Sequence, residues 1–307
     1  MWQQVEVSAP GSLMLMGEHA VLHGQRALVL AVDQRVQVKA RLLPQPELQI
    51  HSQLGHYQQP LSQLQPDPSF RFILAAVQQR QLQHGVALHI HSDFSHQVGL
   101  GSSAAVTLAC LQALAVLQGQ ELSPPQLLRE AHQVVLQVQG RGSGSDLAAS
   151  CYGGLLAYQP LGYQVESLPL DCPLSLWYAG YKTPTPQVIE WVRQTHQSHP
   201  QWLKQLYELM GSTTELAVQA CLQQDWYALG HYMNHQHGLL DTLGVCDATL
   251  AAMVYRLRGL SGVLGAKISG SGLGDSVLAI GAEHRSAEYL SIPVRLSQKG
   301  VSVDDCH

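Results

Sequence analysis

The segment Gly99-Leu100-Gly101-Ser102-Ser103-Ala104-Ala105 runs without a break into an apolar helical pattern that continues to Leu117. No other part of the chain restricts its fold as tightly. Glycines at a helix entrance let the backbone approach a ligand or a neighbouring segment closely, while the unpaired N–H groups and the helix dipole favour negative charge. Ser102 and Ser103 add hydroxyls suited to phosphate oxygens or a magnesium ion. Taken alone, the segment fits two readings: a phosphate cradle built from Gly99, Leu100, Gly101, Ser102, Ser103 and Ala104, or a helix start kept small for tight packing. The familiar phosphate motifs do not decide between them, because the chain has no G-x-x-x-x-G-K-[ST] and no strand-anchored G-x-G-x-x-G.

Around this junction the first half of the chain is rich in strand patterns. Apolar alternation occurs at Val5/Val7, Val36/Val38 and Val86/Leu88/Ile90, and short apolar runs occupy 13–16 and 28–32. Helical periodicity marks 70–82, 104–117, 126–138, 188–195, 202–222, 226–237 and 250–257, and strands return at 265–269 and 276–280. This order predicts an α+β fold. A junction is expected near 158–173, where Pro160, Gly162, Pro169 and Pro173 gather, dividing the chain into units 1–165 and 166–307. The proline- and glutamine-rich stretch 44–68 reads as an exposed excursion rather than core.

Composition narrows the class of partner. With 46% apolar residues in 307, the chain has ample material for a buried core. Lys and Arg total 17 against 22 Asp and Glu, with no basic run, so neither nucleic acid nor an anionic membrane is expected as a partner; small molecules or proteins are. The six cysteines include no C-x-x-C pair, which argues against a zinc ribbon or dense disulfide framework and fits a reducing cytoplasm. Residues 1–11 lack the order of a signal peptide, and the longest apolar stretch, 104–117, falls short of the ~20 residues that span a bilayer.

Two further glycine-rich segments bear on the phosphate reading. Gly140-Arg141-Gly142-Ser143-Gly144-Ser145-Asp146, followed by Tyr152-Gly153-Gly154, presents an acid from a turn, where an aspartate is placed to orient or deprotonate a hydroxyl or simply to cap a helix. Lys267-Ile268-Ser269-Gly270-Ser271-Gly272-Leu273-Gly274-Asp275 reads as a strand entering a glycine loop.

In this order the segments resemble the GHMP small-molecule kinases, and within them the mevalonate kinase branch. Ala9-Pro10-Gly11-Ser12 with Gly17-Glu18-His19-Ala20-Val21-Leu22-His23-Gly24 is similar to the family's first motif, Val98 to Ala105 to its second, and Lys267 to Gly274 to its third. Met233-Asn234 through Gly238-Leu239-Leu240-Asp241 to Gly244-Val245 is similar to a stretch typical of mevalonate kinases. The resemblance implies a ribosomal-protein-S5-domain-2-like N-terminal domain and a ferredoxin-like C-terminal domain with the site between them. It implies ATP and Mg2+ as cofactors and transfer of the γ-phosphoryl to the 5-hydroxyl of mevalonate, with phosphomevalonate as the alternative acceptor. Asp146 would act on the acceptor hydroxyl and Ser103 would hold magnesium and phosphate. Glu18, His19 and Tyr152 would line the acceptor pocket, and Gly270, Ser271 and Gly272 would form the third-motif loop. A homodimer is compatible with it.

Two positions depart from that pattern. Ser12 stands where the family usually carries a lysine, and Val135 where mevalonate kinases usually carry a magnesium-binding glutamate. Arg141 and Lys182 are the candidates for the missing positive charge. Val135, Asp275 and the Gly-Ser-Gly-x-Asp pattern around Asp146 look more like phosphomevalonate kinase. Glu18-His19 and the Leu239-Leu240-Asp241 stretch look more like mevalonate kinase, and Ala20-Val21 argues against a galactokinase. A non-catalytic, metabolite-binding member of the fold is the reading from a different class.

Overall fold

A computed structural model of the chain describes residues 3–95 and 98–306. β1 (Gln4–Met16) and β2 (Ala27–Leu43) form a long antiparallel pair. At one end, Val5, Val7 and Ala9 face inward with Val36, Val38 and Ala40, as strand alternation requires. Further along, 28–32 is buried residue after residue, the mark of a strand covered on both faces. β3 (Glu47–Ser52) and β4 (Gly55–Pro60) make a hairpin, α1 (Arg71–Arg80) follows, and β5 (Gly85–Ser92) inserts between β2 and β3, running parallel to β3. The expectation for 44–68 is therefore corrected. Leu48, Ile50 and Tyr57 point into the core, and the glutamines and histidines that suggested an exposed excursion, Gln49, His56 and Gln58 among them, lie on the outer face of the hairpin.

α2 (Ser102–Leu117), α3 (Pro124–Gln139) and α4 (Ser145–Tyr152) come next. From Ala104 to Leu117 every residue but Val106 is buried, because α2 lies between the β1–β2 pair and the other helices; a helix apolar on all sides has no face to give to solvent. Ser123 and Gln126 form a reciprocal cap at the start of α3, and Gly140, at φ 71°, ends it. β6 (Leu155–Gln159) pairs with the start of β2, and β7 (Gln164–Leu168) folds back on β6.

Residues 169–173 lead into a second sheet. It is built from β8 (Leu174–Lys182) and, after α5 (Thr185–Thr195), α6 (Pro200–Leu222), α7 (Trp226–Thr242) and α8 (Ala248–Arg258), from β9 (Gly265–Ser269), β10 (Gly274–Ile280) and β11 (Leu290–Ile292). The order β11-β8-β10-β9 is antiparallel throughout, and α7 and α8 pack on it around Trp177, Leu240, Met253, Ile268 and Val277. β12 (Ser302–Cys306) then returns to the first sheet and pairs antiparallel with β1, so that sheet reads β12-β1-β2-β5-β3-β4 with β6 and β7 attached to β2. Arg35 clamps the return, donating to the Gly300 carbonyl at 2.7 Å and the Ser8 carbonyl at 3.1 Å. The architecture is α+β, as the sequence predicts. No described helix is long and apolar enough to cross a membrane.

Candidate active site

Three glycine-rich turns meet where β1, the start of α2, the start of α4 and the β9–β10 turn converge. Gly99 and Gly101 hold left-handed backbone, φ 67° and 64°, and each is glycine for a reason of space as well. A Cβ on Gly101 would stand 2.0 Å from Ser12 Oγ, and one on Gly99 would stand 2.0 Å from Asp275 Oδ1. The Ser12 amide donates to the Leu100 carbonyl at 3.0 Å, and the buried Leu100 side chain anchors the loop. The loop is thus pinned on both flanks, and the N-terminus of α2 that it opens has no side-chain cap. Ser102 and Ser103 are half-buried there, with hydroxyls unengaged among the described residues. Backbone N–H groups, the helix dipole and two hydroxyls are together free to receive an anion.

Asp146 enters from the opposite wall, in the first turn of α4 behind the left-handed Gly144. Its turn is braced: His132 Nε2 donates to the Gly142 carbonyl at 2.9 Å, its Nδ1 accepts from Tyr163 at 2.8 Å, and the Tyr158 hydroxyl donates to the Ser143 carbonyl at 2.8 Å. Ser12 Oγ donates to Asp146 Oδ1 at 3.0 Å. Desolvation pushes the Asp146 carboxyl above the ordinary aspartate range; the Ser12 hydrogen bond and Lys182 oppose this, and Asp275 adds to it. Asp146 itself is exposed, so the carboxyl that its neighbours partly dehydrate stays open to a reactant. A carboxylate raised toward neutrality is a better proton acceptor for a hydroxyl than a free aspartate.

Lys182 closes the crevice at the end of β8. Its ammonium pairs with Asp275 Oδ2 at 2.8 Å. Asp275 holds left-handed backbone, φ 73°, uncommon for a residue other than glycine. Burial raises its carboxyl, against the lowering effect of Lys182. The neighbouring loop, Gly270, Ser271 and Gly272, is sewn to the rest of the site: His19 Nε2 donates to the Ser271 carbonyl at 2.9 Å, Ser269 Oγ to the Met14 carbonyl at 2.9 Å, and Thr183 Oγ1 to the Leu273 carbonyl at 2.6 Å. Burial lowers the His19 pKa against the raising effect of the Ser271 hydrogen bond, and because a carbonyl can only accept, Nε2 is the donor.

The expected site residues are therefore not all brought together. Gly99 to Ala104, Asp146, His19 and Gly270 to Gly272 converge. Glu18, expected on the acceptor wall, is 1% exposed and spends its carboxylate on the buried Lys267 ammonium. Burial pushes the Glu18 carboxyl up and the Lys267 amine down, and each charge opposes the shift of the other. Tyr152 ends α4 at the opposite end from Asp146, beside Gly300 and away from the crevice. Val135 packs against Gly142, where a Cβ would lie 2.9 Å from its Cγ1, and brings no oxygen to the site. Arg141 faces Gln187, Glu190 and Trp191 of α5 across an open hollow of about 460 Å3.

Two partnerships escaped the sequence reading, Glu18 with Lys267 and Asp275 with Lys182. A lysine in the middle of the apolar Gly265–Ser269 strand was the available signal, since lysine is almost never fully buried unless paired.

A metal would have to be shared with a bound phosphate. Among the described residues no group of three or more His, Cys, Asp or Glu is arranged to hold an ion. Magnesium, however, commonly takes only one or two protein ligands and completes its shell with phosphate oxygens and water. The unengaged Ser103 hydroxyl at the uncapped helix end fits that manner of binding.

Comparison with known proteins agrees with this geometry. The family model for the GHMP kinases N terminal domain matches residues 70–154, and that for the GHMP kinases C terminal region matches 217–290. The mevalonate kinase of Thermococcus sibiricus is 31% identical, with the alignment covering 98% of this chain and 99% of that protein. The crystal structure of L. major mevalonate kinase in complex with R-mevalonate superposes with a TM-score of 0.75 at 24% identity, over 92% of this chain and 87% of that one. Streptococcus pneumoniae phosphomevalonate kinase, in complex with phosphomevalonate and AMPPNP, gives 0.78 at 20% identity, over 90% and 92%. At these identities the two structures speak to the fold alone.

Proposed function

The chain belongs to the GHMP kinase family, and on that premise we propose that it transfers the γ-phosphoryl of ATP to the 5-hydroxyl of mevalonate. The observation that carries the chemistry is the apposition of Asp146, hydrogen-bonded to Ser12 at 3.0 Å, with the uncapped N-terminus of α2. One binds an acceptor hydroxyl, the other a phosphate, and they face each other across one crevice. The full-length likeness to a mevalonate kinase supports the choice of acceptor.

Phosphoryl transfer demands positioning and charge stabilisation more than covalent chemistry. The backbone N–H groups at Ser102 and Ser103 receive phosphate oxygens, while that of Ala104 closes the first turn on the Gly101 carbonyl at 2.9 Å. Asp146 accepts a hydrogen bond from the acceptor hydroxyl, aims its oxygen, and takes its proton as the new O–P bond forms and the bond from the γ-phosphorus to the bridging oxygen breaks, that oxygen leaving with ADP. Ser12 holds the carboxylate in place while this happens. Ser103 would hold magnesium together with the nucleotide, and the ion would supply charge neutralisation on the phosphates. Glu18 acts on the acceptor side indirectly, by fixing Lys267 and hence the strand that carries Ser269 to Ser271, and His19 fixes the same loop by its own hydrogen bond. The expected boundary at 165/166 falls inside β7, which pairs with β6 in the first sheet, so we place the division between the two functional units in the passage at 169–173, with β12 returning to the first unit.

The test is a coupled kinase assay with ATP and magnesium, offering mevalonate, phosphomevalonate, galactose and homoserine in parallel. Turnover of mevalonate is expected. Turnover of phosphomevalonate alone would overturn the acceptor while leaving the kinase reading intact.

A further inference from the structure

We propose that Lys182, tethered by Asp275, supplies the site with the positive charge that the first motif of this chain lacks at Ser12. The inference rests on the kinase reading above and deepens it by assigning a further residue of the same site.

The cations near the crevice can be sorted by what they already hold. Lys267 is wholly buried, paired with Glu18 and bonded to the Ile268 carbonyl, and so is committed to the interior. Arg141 belongs to the turn before Asp146 but looks outward across the hollow toward α5. Lys182 stands at the end of β8, opposite Gly274 in the strand register, with its side chain about one-third exposed and its ammonium 2.8 Å from Asp275 Oδ2.

Asp275 explains how that charge is aimed. Its other carboxylate oxygen lies against Gly99, so close that any side chain there would collide with it. One carboxylate therefore touches the phosphate loop with one oxygen and the lysine with the other, which brings the ammonium beside the entrance of α2. Its left-handed backbone is the local cost of this bridge, and the hydrogen bond from Ser276 Oγ to Oδ1 helps hold it at 3.3 Å. From the other side, Lys182 lowers the Asp146 carboxyl, so its field reaches the second half of the site as well. A positive charge felt by both the base and the phosphate loop suits a transition state whose negative charge spreads over the transferred phosphoryl and the attacking oxygen.

Lys182→Met, Lys182→Arg and Ser12→Lys, singly and as Ser12→Lys/Lys182→Met, separate this role from a structural one. Lys182→Met is expected to lower kcat by about 100-fold, the scale of losing one preorganised electrostatic partner, with a much smaller change in the KM for ATP. Lys182→Arg should keep most of the turnover. Adding Ser12→Lys to Lys182→Met should restore at least about tenfold of it, because the charge returns to the same crevice from a different strand.

The Asp146 carboxyl, followed by 13C NMR and assigned with Asp146→Asn, should titrate at higher pH in Lys182→Met than in the unmodified protein, since an opposite charge nearby has been removed. That readout needs no substrate. If the unmodified protein fails to phosphorylate mevalonate, the acceptor reading falls, yet the carboxyl titration still decides the place of Lys182. A folded Lys182→Met protein whose Asp146 titration does not move, or whose turnover stays within about threefold of the original, overturns the proposal. Should Lys182→Met not fold, Lys182→Gln takes its place under the same criteria.

Discussion

Asp146 and Ser12 are joined by one hydrogen bond, and the two residues respond differently to substitution. Asp146→Asn keeps the shape and removes the charge that accepts the proton. Turnover should fall by about 100-fold or more, with ATP affinity unchanged, as measured by steady-state kinetics beside a nucleotide-binding titration. The pH profile tests the same group. A base works only when deprotonated, and desolvation raises this carboxyl, so the acid limb of kcat/KM should lie above the ordinary aspartate range and disappear in Asp146→Asn. Glu18 and Lys267 answer in stability instead. Removing one partner of a buried ion pair leaves the other charge uncompensated, so Glu18→Gln should cost roughly 3–5 kcal/mol in denaturant unfolding, and Glu18→Leu/Lys267→Met should recover part of it. The sequence names every one of these residues, but Ser12 and Asp146 lie 134 positions apart and Glu18 and Lys267 lie 249 apart, and no local pattern encodes either pairing.

At the scale of the element, legibility followed periodicity. α2 is readable because apolar residues fill it, and α3 because Leu127, Leu128, Ala131 and Val134 recur at helical spacing. α4 goes unread: Ser145–Tyr152 is short and made largely of small residues, so it carries no repeating apolar stripe, yet its first turn is what aims Asp146. The β3–β4 hairpin is obscured by glutamines that a two-sided strand can afford on its outer face. The helix entrance at Gly101 gives the sharpest test at this scale. A methyl group there would meet Ser12 Oγ at 2.0 Å and would force a side chain into left-handed backbone, which costs about 1–2 kcal/mol by itself. Gly101→Ala should therefore weaken ATP binding by more than tenfold, by displacing Ser12 and tilting the N–H groups, while circular dichroism remains that of the folded protein. Unchanged nucleotide affinity in a folded variant would remove the loop from the phosphate site.

Across the whole molecule, the site is a meeting of distant segments. β1 brings Ser12 and the turn with His19, α2 the phosphate-binding N–H groups, α4 the carboxylate, and the β8–β10 pair the lysine and its tether. The order of motifs was legible. The return of β12 to β1 was not, because Ser302–Cys306 is largely polar and takes its strand character from the edge it covers. That return has a consequence for how the molecule comes into being. The strand that shields the outer edge of β1 follows every other described element in the chain, so until it is made β1, and with it Ser12, waits on a sheet whose flank is open to other chains. A chain ending before Ser302 should accumulate in inclusion bodies in proportion to its expression rate, and a peptide of residues 298–306 supplied in trans should return part of it to the supernatant. Completion of the sheet that carries Ser12 is then timed by the arrival of β12 rather than by the folding of the segments that carry the chemistry.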